Sequence, residues 1–210
     1  MRGFLSFVLD TLSPALCVHC GAELTGHRPS DGLVLTGDWP PCTLPFFIEE
    51  LGADVLCPNC WLRLQPSFGE AAFSSVPRLE EPVPVISPFY TNDTLLSLVR
   101  FLKFGGGTSV ALPLSWWMSR VLERFVAGPS ERVLLVPVPL HWTRLWRRGY
   151  NQGTLLARGV ARELNLRVDE GIVVRNRRTR KQANLKGRSR RSNVRNAFRC
   201  RNGASVRGAD

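Results

Sequence analysis

The sequence predicts an α/β domain preceded by a small cysteine-rich one, and three observations carry that reading. Two Cys-x-x-Cys pairs, Cys17 with Cys20 and Cys57 with Cys60, sit near the start. Much later an apolar run, Val133 to Val136, is stopped by Pro137, Val138 and Pro139 and gives way to an amphipathic stretch. A strand whose carboxyl end delivers cationic residues to the start of a helix is how open α/β sheets build sites for anions. The third observation is charge. Residues 1–130 carry 8 Lys/Arg against 12 Asp/Glu, whereas residues 131–210 carry 20 against 5, within a net +11. A composition that is 44% apolar is ample for a core, and the proline content between Pro66 and Pro88 marks a linker. The expected domains are residues 1–80 and 81–210.

Taken in order, the first residues suggest no export signal, because the apolar run from Phe4 to Leu9 is short and Asp10 closes it. The uncharged stretch from Phe104 to Ser119 is too short for a membrane span and holds three glycines and Pro113. A cytoplasmic protein without a membrane span is expected.

Cys-x-x-Cys lets two sulfurs from one turn reach a single metal, at about 2.3 Å each in a tetrahedral zinc site. Two such knuckles make one closed site, so Cys17, Cys20, Cys57 and Cys60 are the expected ligands of a structural zinc in a ribbon-like domain. Gly21 and Asn59 are expected to supply the tight turns. The 36 residues between the pairs exceed the roughly 15–20 of a compact ribbon, so Leu24 to Leu56 is read as a looped insertion. Two disulfides or free core thiols are the alternatives. His19 and His27 are read as bystanders, and Cys42 and Cys200 as ordinary thiols.

Trp61 to Gln65 is expected to continue the second knuckle as a short helix. Asn92 offers an N-cap for a helix through Phe104, with Leu95, Leu98, Val99 and Leu102 on one face. Lys103 near its end complements the helix dipole or serves a ligand, and the two readings weigh equally. Trp117, Val121, Leu122 and Phe125 predict a second, core helix. Val133 to Val136 then reads as a buried strand, and Leu156, Val160 and Leu164, four apart, as one face of a helix. Arg148, Gly149, Tyr150 and Asn151 before it are either a helix start with a capping Asn or part of an anion site. From 175 to 201 there are 12 basic residues and no acid, so this stretch either meets phosphates or stays solvated.

Val136, Pro137, Val138 and Pro139, then Arg148, Gly149, Tyr150, Asn151 and Gln152, then Thr179, Gln182, Leu185, Arg190, Asn193, Val194, Ala197 and Phe198 resemble, in type and order, the ComF family. Those proteins are similar to type I phosphoribosyltransferases and are tied to natural competence and DNA uptake. With the cysteine pairs and the Lys103 segment, the resemblance runs from about Cys17 to Phe198. It implies a type I phosphoribosyltransferase-like parallel sheet, in which Val138, Arg148, Asn151, Gln152, Thr179, Gln182 and Arg190 bind the phosphate or pyrophosphate of phosphoribosyl pyrophosphate. Mg²⁺ is implied only together with that ligand, and competence proteins are the implied partners.

The family's ribose-phosphate loop, two neighbouring acids followed by Thr-Thr-Gly, occurs nowhere in the 210 residues. The expectation is an incomplete, C-terminally truncated sheet and a transferase that is impaired or inactive, with catalytic residues unassigned. The competing reading is a zinc-containing, non-enzymatic factor that clamps single-stranded DNA by clustered Lys/Arg. Stacking aromatics are sparse in the basic region, Tyr150 and Phe198 being the only ones after Trp146, which argues against base stacking as its mechanism.

Overall fold

A computed structural model describes residues 15–24, 55–65, 67, 72–74, 83–126, 133–180, 186 and 188–201. The chain divides into two compact units, Met1–Trp117 and Met118–Asp210. The boundary expected near residue 80 falls outside the described residues, as do His27, Cys42 and Gln182.

In the first unit, Leu16 and Glu23 form an antiparallel bridge around the first knuckle, and Gly21 turns it at φ +75°, a backbone that only glycine adopts without strain. Helix α1 (Pro58–Trp61) makes the second knuckle. Its turn is helical and begins at Pro58, with Cys60 N–H donating to the Cys57 carbonyl at 2.9 Å, so Asn59 is not the special turn residue expected of it. The helix also ends at Trp61 rather than continuing to Gln65. Trp61 and Leu64 are nonetheless buried, along with Val55 and Leu56. Strands β1 (Ala72–Ser74) and β2 (Val83–Val85) pair antiparallel.

Helix α2 (Asp93–Phe104) follows the sequence reading closely. The Asn92 side chain accepts from Leu95 N–H at 2.9 Å, and Leu98 and Leu102 are buried. Gly105, Gly106 and Gly107 then fold back over the Phe101 ring, where a Cβ at Gly105 or Gly107 would collide. Helix α3 (Ala111–Leu122) buries Leu114, Trp117 and Val121, and the Trp117 ring meets Phe89 edge-on at 5.7 Å. Phe125 lies past the helix and is 38% exposed, so it is not the core residue its spacing predicted.

In the second unit, beyond the end of α3, β3 (Leu134–Leu135) pairs parallel with β4 (Arg167–Val168), Leu134 opposite Arg167. Between them run helices α4 (Trp142–Arg148) and α5 (Gln152–Leu164). This is a parallel crossover, the connection that parallel strands require. The strand is shorter than expected and only half-buried, with Val136 38% exposed, because β4 is its one strand neighbour among the described residues. Strand β5 (Val173–Arg175) pairs antiparallel with β6 (Phe198–Cys200), which follows helix α6 (Arg188–Val194). The described residues thus hold three two-stranded sheets rather than one continuous parallel sheet.

Candidate functional site

Two clusters of side chains stand out, one in each unit. In the first, the sulfurs of Cys17, Cys20, Cys57 and Cys60 all lie within 4.8 Å of one another. Tetrahedral ligands at 2.3 Å would place sulfurs about 3.8 Å apart, and Cys20 and Cys57 stand at 3.7 Å. A disulfide needs about 2.05 Å, so the alternative of two bridges does not fit, and the cysteines are free thiols.

Three of the four are buried. Burial pushes the Cys57 and Cys60 thiols up, and Cys60 is raised further by the neighbouring thiols. Burial also works against ionisation of Cys17, but hydrogen bonds from the backbone at Cys20, Cys57 and His19 outweigh it and bring that thiol down to about 6. Four donors of this spread can hold one metal ion, with no position left for a reacting water. His19 does not join them: its Nδ1 shares a 3.1 Å hydrogen bond with the Ser97 hydroxyl on α2. With the Asn92 amide donating to the Arg63 carbonyl at 2.6 Å, this fastens both knuckles to α2.

The second cluster is cationic. Helix α4 starts at His141, whose Nδ1 faces the Thr143 N–H and hydroxyl, and stops at Gly149, φ +81°, whose N–H returns to the Leu145 carbonyl at 2.7 Å. Asn151 then caps α5, accepting from Gly153 N–H at 3.1 Å, while its amide donates to the Val138 carbonyl at 3.1 Å. The capping role seen in the sequence is real, and it also ties the Pro137–Pro139 turn to the helix. Arg148 donates to the Gln152 side chain.

Across from α4, Arg144 donates to the Thr179 carbonyl at 2.8 Å, and Arg175 donates to the Thr179 hydroxyl. Thr179 is 6% exposed, and the Arg175 guanidinium lies 5.2 Å from the centre of the Phe198 ring. Burial, then repulsion from Arg144 and Arg177, pulls Arg175 below the usual guanidinium range. Burial does the same to Arg148, with Arg144 and Arg147 adding to it and Tyr150 opposing it. Guanidinium stays protonated regardless, so these side chains are cations held close together. Asn193 closes the neighbouring segment: it accepts from Arg180 N–H at 3.0 Å and donates to the Arg180 carbonyl at 3.1 Å. Arg190 lies exposed on α6.

Competence protein F of Haemophilus influenzae is 44% identical to this chain over 197 residues, covering 87% of the chain and 75% of the relative. The chain belongs to the ComF family. DNA utilization protein YhgH of Escherichia coli K12, and that of Salmonella typhimurium, are each 34% identical over 152 residues. The chain spans about 64% of the length of those YhgH relatives. No family model matches it, and no solved structure does.

Within this ComF-family chain the structure brings Val138, Arg148, Asn151 and Gln152 together at the turn between α4 and α5, and sets Thr179 against Arg144 and Arg175. Sequence reasoning counted Arg144 and Arg175 among the basic residues of the helix start and the loop but not among the ligand-binding ones, and it passed over the pairing role of Asn193. Arg144 meets Thr179 35 residues away, a contact no local spacing reveals. Helix α4 was also missed. Its Trp142 and Trp146 are 70% and 87% exposed, so the aromatics that looked sparse are placed outward on the basic element itself. Among the described residues no helix is long and apolar enough to cross a membrane.

Proposed function

We propose that the second unit binds a phosphorylated ligand of the phosphoribosyl pyrophosphate class and that the first unit holds a structural zinc. One observation carries the ligand reading: Arg144 and Arg175 are both fastened to Thr179, and among the described residues neither is paired with a carboxylate. Two guanidiniums brought together against their own repulsion are stabilised by a multiply charged oxyanion, and their planar donors suit phosphate oxygens in pairs. Arg148, oriented by Gln152, and Arg190 add charge, while Val138, Asn151 and Thr179 shape the surrounding backbone.

Asp169 and Glu170, the acids that follow β4, are engaged elsewhere. Asp169 accepts from Gly171 N–H at 2.8 Å and Ile172 N–H at 2.9 Å, and Glu170 pairs with Arg158 at 2.6 Å. Mg²⁺ would therefore arrive on the diphosphate. Arg144, Arg148, Arg175 and Arg190 would bind the pyrophosphate end of the ligand. Calorimetric titration with phosphoribosyl pyrophosphate in Mg²⁺ buffer tests it. Arg144→Ala and Arg175→Ala should each weaken binding by about tenfold or more, a loss of ~1.4 kcal/mol, and unchanged affinity in both would end the reading.

A second reading is that the basic unit binds single-stranded DNA in competence. The 20 Lys/Arg against 5 Asp/Glu in residues 131–210 favour a polyanion, and relatives carry the names competence protein and DNA utilization protein. A steep fall of oligonucleotide affinity with salt that persists in Arg175→Ala would favour it over the first.

A further inference from the structure

Helix α4 has an unusual surface. Trp142 and Trp146 stand one helical turn apart, on the same side by i, i+4 geometry, and are 70% and 87% exposed. Leu145 between them is 42% exposed. Large aromatic surface left in water costs free energy unless something covers it. The helix also carries Arg144, Arg147 and Arg148, and no acid occurs between Glu131 and Glu163. A protein partner for such a face would need matching acids, and an amphipathic membrane anchor needs a longer apolar face than a seven-residue helix offers. Flat π-surfaces interleaved with cations suit a chain that alternates flat bases with phosphates.

We propose that α4 is a stacking platform for unpaired bases of single-stranded DNA, with Trp142 and Trp146 each taking one base and Arg147 taking the intervening phosphate. This rests on the DNA reading and adds to it a contact that depends on bases, not charge. The spacing fits: residues four apart on a helix lie about 6 Å apart, a step that a partly extended strand spans without strain. By helical spacing Arg144, which the phosphate-ligand reading uses, stands on roughly the opposite face of α4 from Trp142 and Trp146.

The test compares two fluorescent probes on the full chain loaded with metal, an oligothymidine of about fifteen nucleotides and a phosphodiester of equal length whose sugars carry no bases. Wild-type protein should prefer the base-bearing strand by ~10-fold or more. Trp142→Ala with Trp146→Ala should erase that preference by weakening oligothymidine binding alone, and Trp142→Phe with Trp146→Phe should keep most of it. Unchanged far-ultraviolet circular dichroism checks folding, which these exposed positions should not disturb. Equal binding of both probes by wild-type protein overturns the platform while leaving charge-driven DNA binding standing. Failure to bind either probe removes the DNA reading and the platform together. An alanine variant that keeps the preference, or one whose only change is loss of self-association or of binding to phosphatidylglycerol vesicles, also overturns it.

Discussion

The thiol cluster and the arginine cluster are built alike and charged oppositely. Each gathers groups that repel one another once ionised: four thiols within 4.8 Å, and Arg144 near enough to Arg148 and to Arg175 to disfavour the charged form of each. They differ in how tightly they are enclosed. Three of the cysteines are buried and short turns fix all four, so an ion held there would be sealed in and would contribute to folding. The arginines are only partly buried and reach their positions through long side chains, an arrangement suited to a ligand that comes and goes. The comparison teaches that both clusters converge like groups, whereas enclosure separates a site fit for a structural ion from the exchangeable one proposed.

The largest effect should come from the enclosed cluster. Cys57→Ser is expected to lose the bound metal and the order around Trp61, since metal binding to such knuckles supplies ~10 kcal/mol or more of folding free energy. Metal content and near-ultraviolet circular dichroism measure it, and a variant that retains both would remove the contrast between the clusters. The next effect is on the exchangeable side. Arg175→Lys cannot keep a guanidinium on Thr179, so it should lose pyrophosphate affinity by about tenfold, nearly as much as alanine, with metal content unchanged. If lysine restores full affinity, charge alone matters and the geometry around Thr179 does not.

Smaller changes sharpen how the basic unit is held. Asn193→Ala removes two hydrogen bonds to the Arg180 backbone and should cost ~1–2 kcal/mol. Faster tryptic cleavage between Lys181 and Arg191 would register it, and an unaltered digestion pattern would count against the pairing. Asn151→Ala removes the α5 cap and its hold on Val138, a loss of about 1 kcal/mol in a urea titration. Glu170→Gln breaks an ion pair whose side chains are 39–64% exposed, and should shift stability by less than about 1 kcal/mol. A larger shift would mean that Asp169 and Glu170 do more than hold their own turn.

What the sequence made legible was local. The cysteine pairs, the Asn92 cap and the Leu98 and Leu102 face of α2 each rest on residues a few positions apart, and all are found in place. The strand at Val133 was overread because burial depends on neighbours that composition cannot supply, and it shrank to Leu134–Leu135. Helix α4 escaped notice for a different reason. Its cap is His141 rather than a serine or aspartate, and its tryptophans face outward, so neither the usual start signal nor an inward apolar stripe announced it. Arg175 acquires its surroundings only when β5 pairs with β6 and brings Phe198 alongside. That pairing joins residues more than twenty positions apart, across α6.

Thr179 gives the arginine cluster a property that charge counting would miss. A free arginine side chain samples many rotamers, worth about 2 kcal/mol of entropy, and an anion that captured two such chains would have to immobilise both. Here the threonine carbonyl and hydroxyl hold Arg144 and Arg175 in place, so their immobilisation belongs to folding and not to capture. Preorganised donors at a fixed separation discriminate by the shape of the anion as well as by its charge. A neutral residue would thereby set the selectivity of the proposed anion site, and swapping Thr179 for valine, which keeps the carbonyl but not the hydroxyl, would release the hydrogen bond of Arg175 and leave that of Arg144.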